Sequence, residues 1–455
     1  MTLNYFSFSS IELGREYIAL IDPDTLFWVT SKKSKINEAK SLFRELYTSN
    51  IKNKLNEDKN DLFNSVGIDM IEVHPTEKCN MDCEYCYIPR KYRLKDRCMS
   101  VEEIEFIITK ILDFLDQNPD KGMKRIIFHG GEPLIAKKQI FEVMDRYYKE
   151  VEFGIQTNGT LLTEEDSEFI KERNIHISFS IDGPLDIHNI TRKYWNGKGT
   201  YYDVLKSIKY FKDYFWLGAI VTITKYNVNN LNDIAKDLHK IGIPSSIFNP
   251  VSPCSSSACS LMPSTEDLIY NYKKLIDTNI EINSNSINGK RFVIDNIESI
   301  LMCLLTSNLR VLYCNMSPCG AGRLVYIITS NGDVYPCSEF MAYPEFKSGN
   351  VFKNSIREII NSDPCRLLRS RKVDMIEECK LCPYKNICGA NCPAAVYYLN
   401  QKLLEKSPHC KFMKEMINYI FLKIAEGGLA EVYKLVSNNF EKELRKSEKL
   451  VYHVK

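Results

Sequence analysis

Three cysteines fall close together at Cys79, Cys83 and Cys86, in the run His-Pro-Thr-Glu-Lys-Cys-Asn-Met-Asp-Cys-Glu-Tyr-Cys that follows a β-rich stretch. Cysteine thiolates hold iron–sulfur clusters, and a cubane cluster has four irons. Gaps of three and then two residues let one loop wrap three of those irons. The fourth iron is left without a protein ligand, an open coordination position for a substrate or cofactor. Two other arrangements stay open: a zinc site, or a cluster closed by Cys98. Zinc sites more often pair their ligands as CxxC or use His, and no His lies close downstream. Cys98 stands just before a helix cap predicted at Ser100, where a structural thiol is the simpler account. Spacing and strand-end position favour the open cluster.

A second group reads Cys314-x4-Cys319-x12-Gly332-x4-Cys337, then Cys379-x2-Cys382-x5-Cys388-x3-Cys392, then Cys410. The chain has sixteen cysteines, and its first residues lack the basic-then-apolar layout of an export signal. The chain therefore reads as a cytoplasmic protein, where clustered thiols point to metal binding or redox chemistry rather than disulfides. Eight thiolates would serve two zincs as well as two clusters by count alone. The segment has few long apolar runs, so bound metal is expected to supply much of its folding energy. Cys98, Cys254, Cys259, Cys303 and Cys365 read as ordinary thiols, although Cys254 and Cys259 lie near a strand end where a redox or tethering role is conceivable.

The elements that must position these groups alternate between two periods. β-rich runs at 68–75, 125–129, 151–157, 175–181, 217–224 and 245–250 are separated by helical stretches. In one of these, Ile104, Ile107, Ile108, Ile111, Leu112 and Leu115 share a face behind a Ser100/Glu103 capping box. In another, Val204, Ile208, Phe211 and Phe215 keep helical spacing. Such alternation implies parallel strands with right-handed crossovers. Six units make a partial barrel or an open sheet, with functional groups at the carboxyl ends of the strands.

Before this region, EYIALI and LFWVTS flank Asp-Pro-Asp-Thr as a hairpin, followed by a helix bearing Ala39, Leu42, Phe43 and Leu46 and by a charged stretch, KNKLNEDKND, read as a polar linker. Asn331-Gly332-Asp333 marks a second hairpin near Cys337. From 411 onward Phe412, Met416, Ile420 and Ile424 form one helical stripe, expected to pack on the body. The 455 residues suggest about three domains, or two with an appendage. The expected division is 1–66 (a ββα element), 67–300 (the barrel) and 301–455 (the cysteine-rich segment with helices). A hydrophobic content of 44% excludes wholesale disorder. A net charge of +2 advertises neither nucleic acid nor an anionic membrane as partner.

The Cys79–Cys86 loop resembles the CxxxCxΦC motif of the radical S-adenosylmethionine (SAM) superfamily, with Tyr85 as the aromatic. The resemblance continues after each strand: Gly130-Gly131-Glu132-Pro133, Gln156-Thr157-Asn158-Gly159, and Ser180-Ile181-Asp182-Gly183-Pro184 with Arg192 beyond. It implies an α/β fold built on a partial (β/α)6 TIM-like barrel of radical SAM type. It also implies that the open iron of a [4Fe–4S] cluster chelates SAM, whose reductive cleavage releases a 5′-deoxyadenosyl radical. By the same similarity Tyr85, Gly130, Gly131, Glu132, Ser180, Arg192 and Val251 would bind SAM, Glu132 accepting from its ammonium and Val251 lining the adenine.

The second group resembles the SPASM domain, which carries two auxiliary [4Fe–4S] clusters. Positions carried over place Cys314, Cys319, Cys337 and Cys392 on the first, and Cys379, Cys382, Cys388 and Cys410 on the second. SPASM-bearing proteins mostly modify peptides or proteins, and an external electron donor such as flavodoxin or ferredoxin is implied. Three activities compete: thioether formation in a Cys-rich ribosomal peptide, formylglycine formation as in sulfatase maturases, and a non-catalytic Fe–S or zinc scaffold. Sulfatase maturases carry an Asp proton acceptor directly after the cysteine matching Cys337. Here that residue is Ser338, no base without an activating partner, with Glu339 next. The N-terminal element is long enough for a trimmed leader-peptide recognition module working by strand addition. Peptide maturation with thioether formation is therefore the leading expectation.

Overall fold

The computed structural model describes residues 8–286, 289–306, 312–446 and 452–454. Its main sheet has ten strands, running from β10 (Val293–Ile294) at one edge to β13 (Gly349–Asn350) at the other, in the order β10-β9-β8-β7-β6-β5-β4-β11-β12-β13. Six of these are the expected parallel strands: β4 (Met70–Val73), β5 (Arg125–Phe128), β6 (Glu152–Thr157), β7 (His176–Ser180), β8 (Leu217–Ile223) and β9 (Ser245–Pro250). Each pairs in parallel with the next. Alternate residues point opposite ways along a strand. Ile71, Val73, Ile126 and Phe128 are buried in the main core, while Gln156, Ser180 and Thr222 face the cavity inside the barrel.

The helix Val101–Gln117 buries all six predicted apolar residues behind the Ser100/Glu103 capping box. The helix Tyr201–Lys209 ends sooner than its apolar spacing predicts. Val204, Ile208 and Phe211 are buried, but Phe215 is exposed. Tyr214 turns inward instead and donates a hydrogen bond to the carbonyl of Ile175 at 2.8 Å.

The hairpin at Asn331-Gly332-Asp333 forms as expected between β11 (Val325–Ile328) and β12 (Asp333–Tyr335). β11 also pairs in parallel with β4, register Ile71 to Tyr326. The cysteine-rich segment thus continues the barrel's own sheet, and β4, the strand that leads into Cys79, is held on both sides.

The N-terminal element has one strand and one helix more than the hairpin and helix expected. β1 (Ser9–Leu13) precedes β2 (Tyr17–Ile21) and β3 (Trp28–Lys32), and a C-terminal strand, β14 (Tyr452–Val454), pairs in parallel with β3. The charged stretch expected to be a linker lies in the helix Ser49–Asn64. It is capped by the Thr48 side chain and anchored by buried Leu55 and Phe63. Arg323, itself buried, donates to the Leu62 and Ser65 carbonyls at 2.9 Å each, satisfying acceptors at the helix's C-terminal end.

The sheet packs on the rest of the molecule through Trp28, whose indole donates to the Leu304 carbonyl at 2.8 Å and meets Phe421 edge-on at 5.2 Å. Phe421 belongs to the helix Cys410–Gly427, whose predicted stripe is buried. No helix among the described residues is long and apolar enough to cross a membrane.

Candidate functional site

The barrel mouth holds a cavity of about 400 Å³, within the range of small-molecule sites. On one wall stand Cys79, Cys83 and Cys86, and on another Cys314 and Cys392. Tyr85, Gly130, Gly131, Ser180, Arg192 and Val251 also line it.

Arg93 pins the cysteine loop from behind. Its guanidinium donates to the carbonyls of Ile88 at 3.1 Å and Met81 at 3.2 Å, and its own carbonyl accepts from the Cys79 amide at 3.1 Å. Trp195 donates to the Cys79 carbonyl at 2.8 Å. The two glycines let the next loop lie against this one. A Cβ on Gly131 would sit 2.2 Å from the carbonyl oxygens of Glu77 and Lys78, and one on Gly130 would sit 2.5 Å from that of Thr76, where φ is +109°. These are backbone atoms that cannot swing aside. Gly131→Ala is therefore expected to cost ~3 kcal/mol and to lower the metal content of the purified protein, as read by denaturant unfolding and iron analysis.

Glu132 is fully buried with both oxygens engaged. Oε1 accepts from Thr157 Oγ1 at 2.7 Å and from the Leu134 amide at 3.1 Å, and Oε2 accepts from the Asn158 amide at 2.8 Å. The carboxylate ties the glycine loop to the end of β6. Burial raises its pKa against those three donors. Tyr85 donates to Asp182 Oδ2 at 2.5 Å and accepts from Arg192 Nη1 at 2.5 Å. Arg192 is buried and its Nε has no partner, leaving one donor of a cation beside Cys83 uncommitted.

The thiols sort into three sets. Burial pushes Cys83 up to about 11, tempered by Arg192 and Arg93, and it raises Cys79 and Cys86 as well. In the second set burial raises Cys337, with Cys392 and Cys314 adding to the effect, while Cys314 is exposed beside Cys319 and Cys392. Cys379, Cys382, Cys388 and Cys410 line a separate small pocket. There Cys388 is pushed up to about 12 by burial and by its three companions. Crowded, buried thiols of this kind lose their protons to a bound cation.

Tetrahedral zinc, with Zn–S near 2.3 Å, would gather its sulfurs within about 4 Å of one another. Among the described residues the only three ligand-type side chains found within 4.8 Å of one another are Glu72, His74 and His129. Among the described residues no three thiols of these sets come within 4.8 Å of one another, wider than a single zinc requires. Cys98 packs against the main core and is not part of the cavity wall, which disfavours it as a fourth ligand.

Some residues at the site carry no sequence signal. Arg371 is buried between the two C-terminal thiol sets. It donates to the carbonyls of Leu403 at 2.7 Å and Ala390 at 3.2 Å. Burial pulls its pKa down while Cys319, Cys392, Cys379 and Cys388 hold it up. Glu339, rather than Ser338, reaches the cavity, with Oε2 unpartnered and its pKa raised by burial.

Residues 73–238 match the radical SAM superfamily, and residues 319–383 match SPASM, an iron–sulfur cluster-binding domain. An uncharacterized protein of Archaeoglobus fulgidus is 34% identical over 414 residues, covering 91% of this chain and 93% of its own. A cysteine-type anaerobic sulfatase-maturating enzyme of Clostridium perfringens is 25% identical over 366 residues, covering 76% of this chain and 94% of its own. Among solved structures, native anSMEcpe with bound AdoMet and Cp18Cys peptide aligns with a TM-score of 0.67 at 23% identity, over 79% of this chain and 98% of that one. SuiB of Streptococcus suis bound to S-adenosylmethionine aligns at 0.59 and 16% identity, over 88% and 97%. The chain belongs to the radical SAM superfamily and carries a SPASM domain. It is an enzyme whose cofactors are [4Fe–4S] clusters and SAM.

Proposed function

We propose that this enzyme modifies a peptide, joining a cysteine sulfur to a carbon of another residue as a thioether cross-link. One observation carries the reading: the Cys79–Cys86 loop and the thiols of Cys314 and Cys392 open onto the same cavity. A peptide residue placed there would lie between two cluster sites. Bound at Cys79, Cys83 and Cys86, a [4Fe–4S] cluster and SAM supply a 5′-deoxyadenosyl radical able to take a hydrogen atom from an unactivated carbon. The chain's own part is to position. Gly130 and Gly131 let SAM approach the backbone, Ser180 and Arg192 hold its carboxylate and ribose region, Tyr85 braces Arg192, and Val251 covers the adenine. Cys314, Cys319, Cys337 and Cys392 would hold one auxiliary cluster beside the substrate. Cys379, Cys382, Cys388 and Cys410 would hold a second, farther out. An external donor such as flavodoxin or ferredoxin would supply electrons.

The relatives support a peptide substrate, since SuiB is known bound to the precursor peptide SuiA. The N-terminal sheet is the proposed leader-docking module. Among the described strands β1 and β14 are the edges of this sheet, and β1, the longer of the two, is the edge proposed for strand addition.

A second reading, formylglycine formation, is favoured by Glu339. This carboxylate stands in the cavity one residue beyond the position where sulfatase maturases carry their Asp. Anaerobically reconstituted protein with reductant, SAM and a synthetic cysteine-rich peptide should release 5′-deoxyadenosine and yield a peptide lighter by two hydrogens without carbonyl reactivity. A hydrazide-reactive product would replace the first reading with the second. In that case Glu339→Gln should lower aldehyde yield by about 10²-fold. Absence of 5′-deoxyadenosine would sink both.

A further inference from the structure

Glu72 on β4 and His74, one residue past the end of that strand, stand two residues apart and so share the face turned into the barrel. His129 follows Phe128 of β5, which lies in register with Val73. Glu72 Oε1 accepts from His74 Nε2 at 2.6 Å and from His129 Nδ1 at 2.7 Å. Tyr87 Oη lies 3.0 Å from the same Nδ1. These are hydrogen-bond lengths, so protons rather than a cation hold the three side chains together. Although burial works against ionisation, His129 and His74 hold the Glu72 carboxyl well below the usual carboxylate range. An ionised carboxylate only accepts, so each imidazole carries its hydrogen on the nitrogen facing Glu72.

That assignment fixes the far side of both rings. His74 is sealed in, and its Nδ1 has no partner. His129 is different: it forms part of the cavity wall, and among the described residues its hydrogen bonds all run through Nδ1. A carboxylate orienting an imidazole by one nitrogen while the other faces a substrate cavity is an acid–base arrangement.

We propose that His129 is a catalytic base whose Nε2 takes the proton from the thiol of the peptide cysteine being cross-linked, with Glu72 and His74 as positioning residues. The proposal rests on the peptide-modifying reading above. In the step the substrate S–H bond breaks, the Nε2–H bond forms, and both electrons of the S–H bond stay on sulfur. The imidazolium that results is neutralised by Glu72 at 2.7 Å. The other titratable groups facing the dyad are His74 just past the end of β4, Tyr87 from the cysteine loop, Glu132 beyond the glycines and Glu339 from the segment after β12.

Two measurements test it. The first needs no substrate: reconstituted holoenzyme is treated anaerobically with diethyl pyrocarbonate between about pH 5.5 and 8, and the modified histidines are mapped by mass. His129 should react and His74 should not. In Glu72→Gln, which removes the carboxylate that orients the ring, His129 labelling at one fixed pH should become faster. A native His129 that stays unlabelled, or labelling unchanged in Glu72→Gln, overturns the dyad while leaving the peptide-modifying reading intact.

The second uses a synthetic cysteine-rich peptide whose non-cysteine residues are deuterated on carbon, added with SAM and reductant. In His129→Gln, cross-linked peptide per 5′-deoxyadenosine should fall by about 10²-fold, while deuterium still enters 5′-deoxyadenosine. A coupling loss in Glu339→Gln but not in His129→Gln would transfer the role and overturn the proposal. Wild-type enzyme that labels as expected but modifies no peptide would instead fail the functional reading.

Discussion

Cys83→Ala enzyme, purified and reconstituted without oxygen, releases no measurable 5′-deoxyadenosine from SAM and reductant. The expected loss is at least about a thousandfold, because the missing cofactor carries the chemistry. Iron content should fall by about four atoms per chain. The reason lies in the loop's construction. Cys83 is buried, and its thiol, pushed up to about 11, is reluctant to ionise unless a cation receives it. Arg192 and Arg93 ease that ionisation, and both are tied elsewhere: Arg192 to Tyr85, and Arg93 to the Ile88 and Met81 carbonyls. Neither can stand in for the lost sulfur. Cys98→Ala is the matched control. Cys98 packs against the main core outside the cavity wall, so it should retain its iron and its SAM cleavage. If Cys98→Ala lost as much iron as Cys83→Ala, the cluster would be closed by protein and the open-iron reading would fail.

Much of this site was legible because its residues are consecutive or end predictable strands. The six barrel strands show in the sequence as apolar runs between amphipathic helices, and each SAM motif follows one of them. Contacts between distant segments left less trace. The charged stretch 52–61 reads as a linker because Leu55 is its one apolar residue. Its helix is stabilised by Arg323, far along the chain, which no local pattern predicts. β1 shows only a short alternation, with Ile11 and Leu13 buried. Pairing of β11 with β4 is a tertiary event that merges the cysteine-rich segment with the barrel.

The same limit applies to charge. Glu72, His74 and His129 each look unremarkable in sequence. Only the register of β4 against β5 brings all three onto one oxygen atom. Arg371 likewise gains meaning only from lying between two thiol sets. Serine at position 338 argued against aldehyde chemistry, yet the carboxylate one residue later occupies the cavity. A motif fixes residue order, whereas reach depends on how the backbone turns after Cys337, here a short 3-10 turn over Ser338–Phe340.

Cys388→Ala should separate SAM cleavage from product formation. Cys388 shares a small pocket with Cys379, Cys382 and Cys410, apart from the cavity that holds the Cys79–Cys86 loop. Removing it should again cost about four irons per chain. 5′-Deoxyadenosine release should persist in part, while modified peptide falls by about 10²-fold or more. This split follows if the outer set serves electron flow after the hydrogen atom has been taken. The competing expectation is that the set serves folding, and the structure gives that idea real contacts to act through. Between Cys382 and Cys388, Lys385 bridges Asp24 at 2.6 Å and Asp374 at 2.8 Å, and Asn386 donates to the Pro23 carbonyl at 2.8 Å. Loss of the metal could therefore loosen the N-terminal sheet as well. Lys385→Ala separates the two effects, because it breaks both ion pairs and leaves every thiol in place. If Lys385→Ala retains product while Cys388→Ala does not, the outer thiols act through the metal they hold. Equal loss of SAM cleavage and product in Cys388→Ala, matched by Lys385→Ala, would assign them to folding alone.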